Sequence, residues 1–178
     1  LLGCIREGKM LQHDKDIDIG IWQDQKVREL IETIRCSGYF YILPSSNDDI
    51  LVVRHVNGVT IDIFSHYDEK GNYFHAGGKC RWRNTPFTLA PHKFLDDQYL
   101  IPENYSLYLT ENYGSWEIPN KEFDSALDTP NMEVTNIDKM LIYLYKRLSK
   151  KPDIQPSLRI RLEQKLHYYQ NQVKVETL

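Results

Sequence analysis

Polar and apolar side chains alternate through residues 13 to 21, His-Asp-Lys-Asp-Ile-Asp-Ile-Gly-Ile, and a period of two is that of a β-strand. On such a strand Ile17, Ile19 and Ile21 face a core, while Asp14, Asp16 and Asp18 share the opposite face. The period becomes helical over residues 24 to 36, where Val27, Leu30, Ile31 and Ile34 form one stripe, Asp24 is placed to cap it and Gly38 to end it. Strand patterns return at Tyr39 to Leu43, Ile50 to Arg54 and Val59 to Ser65. The last two are joined by Asn57-Gly58, a dipeptide that accepts the positive φ of a tight hairpin. Residues 67 to 90 read as loop-rich, with a turn at Asp68 to Asn72, and residues 93 to 101 as short strands around Asp96-Asp97. Pro102 opens a helix over 103 to 113 that Gly114 closes. Residues 1 to 8 read as a helix end, and 115 to 135 as an irregular segment. Two more helices follow. One runs from its cap Asn136 to about Leu148, with Ile137, Met140, Leu141, Leu144, Tyr145 and Leu148 on its stripe. The other runs from Pro156 to about Val173, with Leu158, Leu162, Leu166, Tyr169 and Val173 on one face. The fold class this predicts is α/β in the α+β sense: a mixed β-sheet flanked by helices, with a C-terminal helical extension.

The acidic strand carries the chemistry. Three carboxylates two residues apart repel one another, and burial raises their pKa values. A divalent cation that prefers oxygen ligands, Mg²⁺ or Mn²⁺, relieves both costs. A calcium loop of the EF-hand type is excluded, because its sixth and twelfth positions hold Ile19 and Gln25 where Gly and a bidentate Glu are needed. The competing reading is a solvated acidic strand end, and the β-branched residues between the carboxylates argue against it. In Val59-Thr60-Ile61-Asp62-Ile63-Phe64 a lone Asp points away from three β-branched neighbours. A buried charge needs a partner. For Asp62 that is a cation shared with Asp16 and Asp18, or else backbone donors or an Arg. Downstream, Gly77-Gly78-Lys79 with Arg81 and Arg83 offers backbone amides and cations suited to phosphate. A solvated charged edge strand fits the same residues.

Composition narrows the classes. With 41% hydrophobic and 26% charged residues the chain reads as globular, and a net charge of −3 argues against a nucleic-acid partner. No apolar run reaches the length of a membrane span and no signal peptide is visible. The chain opens on Leu1 without Met and reads as a fragment, so a leader or anchor stays open. Cys4, Cys36 and Cys80 are too widely spaced for a zinc site and read as reduced thiols. Twelve Tyr offer flat plates with polar tips for a sugar or nucleobase, although most are expected in core or rim. Arg159, Arg161 and Lys165 read as a solvated face before they read as a contact for anionic lipid or a partner.

Leu2-Gly3-Cys4-Ile5-Arg6, followed by His13-Asp14-Lys15-Asp16-Ile17-Asp18-Ile19-Gly20, resembles the LicD/fukutin family of phosphotransferases within the nucleotidyltransferase superfamily. Asp62-Ile63-Phe64, Gly77-Gly78-Lys79, Tyr113-Gly114-Ser115-Trp116-Glu117-Ile118-Pro119 and Thr129-Pro130-Asn131 extend the likeness over residues 1 to 132, nearest in pattern to the family's fukutin branch. Family members often carry Trp-Asp before the acidic strand, where this chain has Gln12-His13-Asp14 with the carboxylates intact. The resemblance implies a nucleotidyltransferase-fold catalytic domain over 1–132 and a helical extension over 133–178. It implies transfer of a phospho-alcohol, of the ribitol phosphate or phosphocholine type, from a CDP-activated donor to a glycan or polysaccharide hydroxyl, with release of CMP. Asp14, Asp16, Asp18 and Asp62 are then the catalytic residues, and Asp16, Asp18 and Asp62 hold Mg²⁺ or Mn²⁺. Gly3, Arg6, Lys15, Lys79 and Arg81 are the candidate substrate contacts. The expected setting is cytoplasmic, at a membrane or within a larger biosynthetic assembly, with a lumenal domain of an anchored enzyme left open. The rivals are an NTP-dependent nucleotidyltransferase acting on a sugar or protein, and a catalytically silent glycan-binding module.

Overall fold

The computed structural model describes residues 1–12, 14–23, 27–150 and 154–176. Its centre is a long strand, β4 (Thr60–Glu69), within a seven-stranded mixed sheet. On one side β4 runs parallel to β1 (Asp16–Trp22), from Asp16↔Thr60 to Trp22↔His66. On the other side its first half pairs antiparallel with β3 (Ile50–His55), which pairs in turn with β2 (Phe40–Ile42). Its second half pairs with β5 (Asn72–Ala76), followed by β6 (Cys80–Asn84) and β9 (Met132–Val134). A separate hairpin is formed by β7 (Leu89–Phe94) and β8 (Asp97–Pro102). Among the described residues, five helices accompany the strands: α1 (Leu2–Glu7), α2 (Val27–Cys36), α3 (Tyr105–Tyr113), α4 (Ile137–Lys150) and α5 (Pro156–Glu176).

Two apolar clusters hold the sheet from opposite faces. On one face Leu30 and Ile34 of α2 pack on Ile21, Leu51, Val53, Ile61 and Ile63. On the other face, Cys80 and Trp82 of β6 meet Met140 and Leu144 of α4 and Leu162 and Tyr169 of α5. The helical stripes predicted for α4 and α5 are thus the faces that pack, although Tyr145 at the margin of the first is half exposed. Asn136 caps α4 by accepting a hydrogen bond from the Lys139 amide. Leu162 is fully buried between the helices and the sheet. Leu162→Ala is expected to cost about 2–5 kcal/mol, as truncation of a buried leucine leaves a cavity, and a drop in the urea midpoint at constant slope checks this.

Several expectations need correction. The acidic strand starts at Asp16, so Asp14 and Lys15 precede it and Asp14 is not on its pleat. Ile17 and Ile19 lie on the α2 face but keep 39% and 45% of their surface exposed, since only Ile21 reaches the cluster under α2. β1 is an edge strand, and Leu30 and Ile34 of α2 pack around the central strands instead. The stretch read as loop-rich contains β5 and β6, whose short runs mix aromatic and charged residues and so hide the alternation. The irregular segment holds β9, three residues long. His13 and the Asp24 cap lie outside the described residues.

Candidate functional site

The register of the parallel pair decides what the acidic side chains do. Asp18 stands directly beside Asp62, and Asp16 is two residues earlier on the same face. Side chains in register on neighbouring strands point to the same side of a sheet. Asp16, Asp18 and Asp62 therefore belong to one surface, opposite the α2 cluster. Their charges interact. The Asp18 carboxyl is pushed up to about 6, first by loss of water around it and then by Asp16 and Asp62, with Asp14 a smaller contributor. Asp62 is also raised, by burial and then by Asp16. Like charges gathered where water is partly excluded are costly unless a cation joins them. By donor type and by register these carboxylates fit a hard divalent ion. Among the described residues, no three His, Cys, Asp or Glu side chains are arranged to hold a metal ion as they stand.

The same face continues past the carboxylates along both strands. On β1 it carries Gly20 and Trp22, and on β4 Phe64 and His66. A Cβ on Gly20 would come within 2.7 Å of the His66 ring, so the glycine is what lets that imidazole lie against the strand. His66 packs on His75 at 4.7 Å, and His75 stacks on Trp82 at 4.9 Å. Burial lowers both imidazoles, His75 to about 3 with a further push from His66. Helix α3 covers the surface beside this row. Asn104 caps it through the Leu107 amide, and its Glu111 carboxylate accepts from Asn84 and from both the amide and hydroxyl of Thr85. Its Tyr108 and Tyr113 phenols are raised, mainly by burial, and both feel the charge of Asp18.

The predicted substrate contacts separate into those near the acidic surface and those away from it. Lys15 is exposed, one residue before β1. Arg6 donates to the Trp116 carbonyl at 3.1 Å and pairs with Glu7 at 3.0 Å, which ties α1 to the Tyr-Gly-Ser-Trp block. Its Nε and the Trp116 Nε1 are buried with no hydrogen-bond partner. Gly3 is buried, and a Cβ there would meet the Lys9 carbonyl at 2.7 Å. It is the close packing of residues 9 to 11 on α1 that requires it. Lys79 lies over the Tyr143 ring of α4. The Gly78 amide, expected to face phosphate, donates to the Asp49 carboxylate instead. Arg81 is not brought to the carboxylates. The registers of β4, β5 and β6 put it on the opposite face, where it spans Glu69 and Glu133 above the Phe74 ring. Arg161, read as solvated or lipid-facing, is bound to Asp128 and to the Glu122 carbonyl. With the Arg147–Asp124 pair it fastens the irregular segment to α4 and α5.

Sequence reasoning missed the aromatic wall. Trp22 contacts Tyr73 at 4.8 Å and Phe87 at 6.0 Å, and Phe87 contacts Tyr108 at 5.5 Å. The signal available was Trp22 itself, in phase with Asp16 and Asp18 on β1. Tyr73 and Phe87 come from a stretch read as loop.

The family model described as LicD/FKTN/FKRP, nucleotidyltransferase domain, matches residues 1–102. The ribitol-5-phosphate transferase FKTN of Mus musculus is 28% identical over 150 residues, covering 76% of this chain and 32% of that protein. The proteins of the same name from Macaca fascicularis and Homo sapiens are each 27% identical over the same extent. The chain thus spans about a third of the length of these relatives. No solved structure matches. Among the described residues no helix is long and apolar enough to cross a membrane.

Proposed function

Since the chain belongs to the LicD/FKTN/FKRP nucleotidyltransferase-domain family, we propose that it is a metal-dependent phosphotransferase that moves a phospho-alcohol from a CDP-activated donor to a glycan hydroxyl. The observation that carries this reading is the register Asp18↔Asp62 in the parallel pair, with Asp16 on the same surface. The name of the relatives, ribitol-5-phosphate transferase, makes ribitol phosphate the first phospho-alcohol to test. Phosphocholine is the second.

Transfer of this kind needs placement and charge neutralisation more than covalent help from the protein. A divalent ion, once bound, neutralises the donor's pyrophosphate and lowers the pKa of the acceptor hydroxyl. Asp16, Asp18 and Asp62 are the residues that would hold it. Asp14, exposed just before β1, would complete that shell or take the proton from the acceptor hydroxyl as its oxygen attacks phosphorus. The bond to the CMP oxygen breaks and CMP leaves. Arg6 and Lys15 both precede the acidic strand in the sequence and are the cations we assign to the donor phosphates. Lys79 and Arg81 serve the fold through Tyr143 and through Glu69 and Glu133.

The deciding experiment incubates the protein with CDP-ribitol, CDP-choline and CDP-glycerol, with Mg²⁺ or with EDTA, and follows CMP. Release of CMP that needs the metal and a glycan acceptor is expected. Pyrophosphate release from an NTP would replace the reading with nucleotidyl transfer. Silence with every donor, together with sugar binding that Asp16→Ala leaves intact, would replace it with a glycan-binding module.

A further inference from the structure

A cleft of about 480 Å³ opens beside the aromatic wall, lined by Tyr73, Pro86, Phe87, Thr88, Glu103 and Asn104. This is the size of a small-molecule site. The cleft is joined to the acidic surface by direct ring contacts. Phe87 touches Trp22, which stands on β1 four residues beyond Asp18 and on the same face. Four residues of strand cover about 13 Å. Phe87 also touches Tyr108, the phenol that feels Asp18. A ligand in the cleft therefore lies several sugar units from the carboxylates, within reach of one extended glycan chain.

The lining specifies the ligand's chemistry. Among the described residues no Lys or Arg lines the cleft, and Glu103 contributes a carboxylate. A phosphate or other anion is repelled there. The Glu103 carboxylate accepts from the Thr88 hydroxyl at 2.5 Å. It keeps further lone pairs for a ligand's hydroxyls. The Phe87 and Tyr73 rings meet edge to face at 5.2 Å and give the cleft an apolar wall. Apolar plates against carbon–hydrogen faces, with an acceptor for hydroxyl groups at the rim, are the chemistry of a neutral sugar ring. Asn104 is occupied as the α3 cap and shapes the rim. We infer that this cleft holds a neutral sugar of the acceptor glycan, several units along the chain from the one that receives the phospho-alcohol. The assignment rests on the transferase reading above for its purpose, and on the cleft alone for its ligand.

The test separates the two. Amide shifts of ¹⁵N-labelled protein are followed during titration with methyl β-galactoside, methyl β-glucoside and cytidine. Saturable shifts at Thr88, Phe87, Glu103 and Tyr73 with a glycoside are expected, weaker by about tenfold in Glu103→Gln. Turnover then reads the acceptor's KM, expected to rise about tenfold in Glu103→Gln while the KM for the CDP-alcohol is unchanged. Glycosides that move none of these amides overturn the inference, and so does cytidine moving them more strongly. If no CDP-alcohol is turned over but the glycoside shifts appear, the transferase reading fails and the sugar cleft stands. Thr88→Val, which removes the partner of Glu103 without touching the aromatic rings, must also weaken the glycoside shifts; wild-type affinity in both variants overturns the inference.

Discussion

Asp18→Asn is expected to cut phospho-alcohol transfer by about 10²–10³-fold, while leaving the metal-free protein as stable as wild type or more so. The loss is of the size seen when one preorganised electrostatic contact to a transition state is removed. The gain follows from the state of the carboxyl. Asp18 is raised to about 6 by burial and by Asp16, Asp62 and Asp14. At pH 7 it is therefore a charge held against its neighbours. A group whose folded pKa lies above its unfolded value of about 3.9 destabilises the folded state at higher pH, and the penalty is relieved as pH falls through 6 towards 4. Asparagine removes that penalty at every pH. Asp18 keeps substantial contact with water, so screening limits the gain to no more than about 1 kcal/mol. CMP release and urea midpoints in EDTA check the two halves. Retained turnover, or a large drop in midpoint, would remove Asp18 from the role given to it. A residue whose replacement stabilises the fold and slows the reaction is kept for chemistry and not for packing.

How far this was legible in the sequence follows from where the physical signals sit. The pairing of Asp18 with Asp62 was foreseeable in kind, because a lone Asp in an apolar strand requires a partner and another acidic strand was present. The register that makes them neighbours was not, since it depends on a parallel pairing between residues more than forty apart. The Asn57-Gly58 hairpin, the faces of α4 and α5, and Leu30 and Ile34 of the α2 stripe follow from local turn chemistry and helical periodicity, and the structure has them. Strands β5 and β6 were obscured because buried Phe74 and Cys80 share short runs with His75, Arg81 and Arg83. These polar members are paid for by ring stacking and by Glu133, contacts that no short window contains. Arg81 illustrates the same point. By sequence it follows a paired-glycine loop and looks like a phosphate ligand, but a single residue's parity on β6 sends it to the far face.

That parity also gives His75 its place on the carboxylate face, and with it the second large effect. His75 is lowered to about 3 by burial and by His66, and it lies against Trp82, Phe64 and His66 with its Nδ1 unsatisfied. A histidine depressed in the folded state stays neutral there while the unfolded chain takes up a proton below about 6.5. Its contribution is complete above that pH and is lost as pH falls towards 3. By pH 4.5 the loss from His75 is about 2 kcal/mol. His66, also lowered, acts in the same direction. Asp18 acts in the opposite direction over pH 6 to 4, so wild type shows the difference between the two. Combining Asp18→Asn with the native histidines should expose the full acid limb, and adding His75→Phe, which keeps a flat ring on Trp82, should flatten it by about 2 kcal/mol between pH 7 and 4.5. Urea midpoints of the three proteins in EDTA decide it. An acid limb that survives His75→Phe unchanged would mean that the imidazole row is not what ties this fold to neutral pH.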